Sequence, residues 1–122
     1  MSMKIRFRQA NGVTIVDCMG RIDHSVGTVV LRDAVREALS NGQTKILLNL
    51  GEVDYIDSSG IAELVGAFMA VRREGGGLKL LNLSEKVHDV FQVTRLYTVF
   101  DVRDNEAGAI KSFNADAAAN AA

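Results

Sequence analysis

"VDYIDSSGIAELVG", Val53 to Gly66, opens as the end of a buried strand and closes as an apolar helix. Between the two lie Asp57 and a pair of adjacent hydroxyls, Ser58 and Ser59, with no base close by in sequence. A strand that hands over to a helix through a short polar turn is the repeating joint of an α/β sheet, and the flanking segments repeat it.

Upstream, Lys45 to Leu50 ("KILLNL") is short and nearly all apolar, as a central strand covered on both faces requires. Gly42 and Gly51 at its borders favour a strand over a buried helical turn. Before it, Val30, Leu31, Ala34, Val35, Ala38 and Leu39 follow helical spacing within Val26 to Ser40, and Asn41-Gly42 supplies the stop. "GVTIVDCMG" (Gly12 to Gly20) is a β-branched strand, and "KIRFR" reads as its edge partner across an Asn11-Gly12 hairpin turn.

Downstream, Ile61, Leu64, Val65, Phe68 and Val71 carry the helix to Gly75-Gly76-Gly77. Leu78 to Leu83 is the next strand, and Ser84 caps a short helix through about Val93 with Val87, Val90 and Phe91 on its apolar side. Tyr97 to Val102 ("YTVFDV") reads as a last strand, and a final helix spans about Ala107 to Phe113. The alanine-rich end "ADAAANAA" has no apolar stripe to bury and is expected to be frayed or disordered. The expectation is an α/β domain over residues 1–113 followed by a tail over 114–122. Its mainly parallel sheet has right-handed crossovers, an antiparallel edge hairpin at the N-terminus and about four helices. Functional loops of such sheets cluster at the carboxyl ends of the strands. Gly20 to Asp23 and Asp57 to Gly60 should both open there.

Composition narrows the function classes. The chain has 122 residues, 48% apolar and 24% charged, which is one ordinary domain with a real core. A net charge of −1 with evenly scattered Lys and Arg offers no basic stripe, so neither nucleic acid nor an anionic membrane surface is an expected partner. Cys18 is the single cysteine, so no intrachain disulfide forms. No apolar run approaches the roughly 20 residues of a membrane span, and "MSMKIRFRQANG" is too polar for a secretory signal, which gives a cytoplasmic expectation.

Taken together, "GRID" after the second strand, "ILLNLGEVDYIDSSGIAELVG", and a glycine-terminated helix followed by "LKLLNLSEKVHDVF" resemble the STAS domain of bacterial anti-sigma factor antagonists. The resemblance runs from about Val13 to Val102. It implies a regulator that works by binding, without a cofactor and without catalysis of its own, as a monomer or weak dimer. It implies phosphorylation of Ser58 by a partner serine kinase that is also the anti-sigma factor, and dephosphorylation by a serine phosphatase. Asp57, Ser59 and Gly60 would surround the phosphate, with Asp23 of "GRID" facing it from the neighbouring loop. This chain departs from the pattern in having no proline at all and in placing Thr94-Arg95 where relatives carry a glycine before the last strand.

Other roles for the same residues compete with that one. Asp and Ser are favoured helix N-caps, although the reciprocal capping box is missing, since Ile61 and Ala62 stand three positions after Ser58 and Ser59. On spacing alone, capping and a further function weigh equally. A small serine hydrolase is the alternative of a different class, with His24 or His88 as base, but neither serine has the small flanking residues of a nucleophile elbow. One cysteine and two distant histidines form no metal-ligand pattern. Gly75 to Gly77 follows a helix rather than leading into one, which suits a C-cap better than a phosphate loop. Ala62, Gly66 and Met69 continue from the serines along one helix face, either as a docking surface or as packing against the first helix. A scaffold or sensor subunit of a larger signalling assembly is a further reading of the same fold.

Overall fold

Asn11 and Gly12 take φ of 50° and 81°, the paired left-handed conformation of a two-residue hairpin turn. They fold β1 (Met3–Ala10) back on β2 (Val13–Ile22) in antiparallel register, Ala10 opposite Val13 and Met3 opposite Gly20. The structure is a computed structural model that describes the backbone of residues 3–121 and the side chains of residues 3–116. After α1 (Gly27–Ser40) comes β3 (Lys45–Ile56), parallel to β2; after α2 (Ser58–Arg73) comes β4 (Gly77–Leu81), parallel to β3. A third helix, α3 (Glu85–Thr94), leads by a 3-10 turn at Leu96–Thr98 to a two-residue β5 (Val102–Arg103), and α4 (Glu106–Ala121) comes last.

The sheet order is sequential, β1-β2-β3-β4-β5. Right-handed crossovers that always step in the same direction put their helices on one face, so α1, α2 and α3 share a side of the sheet. Alternation along β3 divides its residues accordingly. Ile46, Leu48 and Leu50 join the larger core with Leu31, Leu64, Val71, Val87 and Phe91, whereas Leu47 joins Val13, Ile15, Leu81, Ile110 and Phe113 under α4. Both faces of β3 are therefore apolar, which is why "KILLNL" reads as an unbroken run.

The α4 face also holds a polar cluster. The nearly buried Asp17 accepts from Arg8 at 2.7 and 2.9 Å, from Arg6 at 3.1 Å and from Asn49 at 2.8 Å, and Arg8 reaches on to Glu106 of α4 at 2.7 Å. Further along the helix, Lys79 donates to Ser112 at 2.7 Å and to Asp116 at 2.8 Å.

Two expectations need correction. Tyr97 to Val102 is not a strand: the segment starts in the 3-10 turn, and only Val102–Arg103 pairs with β4. Leu96 just before the segment and Phe100 within it are buried at a helical interval, while Tyr97 and Val99 are exposed, so packing overrides the β-propensity of the side chains. Arg95 prepares this turn by taking φ 59° and ψ 30°, a left-handed conformation. The final helix is also longer than expected. It continues past Phe113 through the alanine-rich segment to Ala121, consistent with the high helix propensity of alanine, and Ala122 lies outside the described residues. Among the described residues, no helix is long and apolar enough to cross a membrane.

Candidate functional site

The site begins with irregularities in β3. Between Asp17 and Met19 of β2 the partners advance from Asn49 to Glu52, and between Gly20 and Arg21 they advance from Val53 to Tyr55. Each time β3 holds one more residue than its neighbour, a bulge that bends the strand and re-aims its continuation. Just past the end of the bent strand stands Asp57, whose N–H donates to the Ile22 carbonyl at 3.4 Å.

Asp57 is the N-cap of α2. Its extended backbone, φ −110° and ψ −174°, lets one carboxylate oxygen accept the Gly60 N–H at 2.9 Å. Gly60 is required by proximity: a β-carbon there would overlap the Ile22 carbonyl oxygen and press on Ile56. With the cap supplied by Asp57, the hydroxyls of Ser58 and Ser59 are exposed at the entrance of the helix. Of the residues that could cap the helix, the acid takes that role.

The second carboxylate oxygen of Asp57 reaches the neighbouring loop. It accepts the His24 backbone N–H at 3.1 Å and lies 3.3 Å from the ring Nδ1. The Gly60 N–H, followed by the His24 contacts, holds the Asp57 carboxyl below its ordinary value, so it is ionised at neutral pH. Asp23 points elsewhere. Its carboxylate accepts the Ser25 hydroxyl at 2.8 Å and N–H groups of Ser25, Val26 and Gly27, closing the entrance to α1, with Arg21 at 3.4 Å. The Ser25 hydroxyl above all, then Arg21 and these N–H groups, hold the Asp23 carboxyl well below the usual range. The contact from this loop to α2 is therefore made by His24, a residue that the sequence offers only as a hydrolytic base.

Between α1 and α2 lies an open depression of about 400 Å³ lined by His24, Thr28, Arg32, Ser59, Ala62, Glu63 and Gly66. Arg32 and Glu63 bridge the two helices at 2.7 Å. Ala62, Gly66 and Met69 are exposed, Met69 by 53%, and a β-carbon at Gly66 would meet nothing within 4 Å. The stripe thus faces outward rather than packing against α1. Near the ends of β2 and β3, Arg21 lies over the ring of Tyr55 at 4.0 Å.

In shape, the site is an open surface. Among the described residues, no hydrogen bond links His24 to a serine hydroxyl, and no group of three or more His, Cys, Asp or Glu is placed to hold a metal ion. His88, the other histidine, is engaged by the Tyr97 hydroxyl. What the site offers is an exposed serine at the positive end of a helix, beside an ionised cap and an apolar stripe.

A family model described as STAS domain matches residues 4–109. The chain is 31% identical to an anti-sigma-B factor antagonist of Bacillus subtilis strain 168, over 91% of this chain and 100% of the other. It is 28% identical to an anti-sigma F factor antagonist of Paenibacillus polymyxa, over 90% and 94% of the two chains. Its fold is also that of an anti-sigma factor antagonist crystallised from Mycobacterium paratuberculosis, with a TM-score of 0.81 at 18% identity, covering 93% and 95% of the two chains.

Proposed function

The chain belongs to the STAS domain family, and from that premise we propose that it is an anti-sigma factor antagonist switched by phosphate on Ser58. Unphosphorylated, it binds an anti-sigma factor that is also a serine kinase, and the sigma factor goes free. Phosphorylated, it lets go until a serine phosphatase restores the hydroxyl. One observation carries this reading: Asp57 caps α2, so the exposed Ser58 hydroxyl has no structural task in the turn. Ser58 rather than Ser59 follows from the family resemblance.

Phosphate would add about −1.5 to −2 charges. The helix dipole and the first-turn N–H groups tolerate that charge, so the domain stays folded. A partner seated on the serine and on Ala62, Gly66 and Met69 would instead have to bury it next to the ionised Asp57, without new cations in place. Release is the favourable outcome.

The test is tandem mass spectrometry of the peptide spanning Glu52 to Arg72, from protein purified from its native cells with and without phosphatase inhibitors. Phosphate on Ser58 that disappears when phosphatases stay active is the expected result. An unmodified peptide across growth and stress conditions would overturn the switch. A substitution tests the docking face separately. Gly66→Arg projects into open space and replaces glycine with a good helix former, so its urea midpoint should not fall. Its affinity for the kinase, measured by calorimetry, should fall about tenfold or more. Unchanged affinity would move the interface off this face of α2.

A further inference from the structure

We propose that His24 is the internal counter-cation of the phosphorylated state: its ring leaves Asp57 and pairs with phosphate carried by Ser58. The inference rests on the phosphorylation reading above and assigns that site a charge partner.

His24 is held at the entrance of α2 by Asp57, whose carboxylate lies 3.3 Å from Nδ1, and it lines the depression between α1 and α2 that Ser59 also lines. Ser58 follows Asp57 directly and is exposed, as is the His24 ring. For a ring that turns away from Asp57, phosphate on Ser58 would be the anion next along the chain. The ring is also free to turn, because its side chain is 79% exposed, while the backbone N–H of His24 holds Asp57 independently at 3.1 Å. The clasp between the two loops survives the movement.

The surrounding charges favour His24 over the other cations. On its own loop, Arg21 pairs with Asp23 and stacks on Tyr55. From α1, Arg32 is bound to Glu63 of α2 at 2.7 Å. His24 has as its partner the carboxylate that the phosphate would crowd, so phosphorylation weakens the contact it must give up. A dianion is also the stronger acceptor for a charge-assisted hydrogen bond.

The test uses the full chain with phosphoserine installed at position 58 during translation, and tracks the phosphorus resonance through pH by NMR. In the native chain the second ionisation of the phosphate should have its midpoint about half a pH unit below that in His24→Gln, a roughly threefold difference in ionisation constant. His24→Lys, which keeps a cation, should restore the low midpoint, and 1 M salt should shrink the difference. Coincident midpoints in the native chain and His24→Gln would overturn the proposal. So would a shift that is lost in Arg32→Gln but kept in His24→Gln. Because translation places the phosphate, these results are independent of any kinase, and a chain never phosphorylated in its cells would fail the mass-spectrometric test alone.

Discussion

Gly60→Ala is expected to cost about 3 kcal/mol, read as a lowered urea midpoint, while Gly66→Ala in the same helix should gain about 1 kcal/mol. The chemical change is identical and the surroundings are opposite. At Gly60 a methyl group would enter the space of the Ile22 carbonyl oxygen, with the Ile56 side chain at 2.7 Å and that of Ile22 at 3.0 Å. A backbone carbonyl in a paired strand cannot rotate aside, so the first turn of α2 must move, taking Asp57 and both serines with it. At Gly66 nothing stands within 4 Å, and only the helix preference of alanine over glycine remains. Equal effects at the two sites would mean that α2 does not sit as close to β2 as described.

Asp17→Asn is the second large effect, about 2 kcal/mol at neutral pH, with a change in the acid limb of the stability curve. Hydrogen bonds from Arg8 above all, then from Asn49 and Arg6, lower the Asp17 carboxyl from the ordinary 3.8 to about 2. The folded state thus holds the carboxylate more tightly than the unfolded chain does. Its contribution is complete above pH 4 and is lost as the pH falls towards 2. Urea midpoints measured between pH 2 and pH 5 should decline in the native chain and decline less steeply in Asp17→Asn, where Asp23 and Asp57 still take up protons on unfolding. A parallel decline in both would place the acid sensitivity elsewhere.

The joint from β3 into α2 was legible because the polar turn interrupts two apolar patterns, and with it came Asp57, Ser58, Ser59 and Gly60. The length of β3 was not. Its distal buried residues are Leu50, Val53 and Ile56, three apart, because each bulge adds a residue and breaks the alternation that marks a strand. Tyr97 to Val102 misled in the opposite direction, its β-forming side chains being used in a turn anchored by Leu96 and Phe100. Glycine was recognised at position 60 as part of a motif, but its physical cause is a carbonyl oxygen from another strand, which no local pattern displays. His24 was hidden for the same reason: 33 residues separate it from Asp57, and only the adjacent carboxyl ends of β2 and β3 bring them together.

Neither margin of the sheet invites another strand. β1 sets Lys4, Arg6 and Arg8 along one margin, and at the other β5 offers only two residues. Charged and very short edges discourage backbone pairing between molecules. Association through continued β-structure, which is hard to reverse, is thereby disfavoured, and the exposed side chains of the helices are left as the more open route to reversible contact.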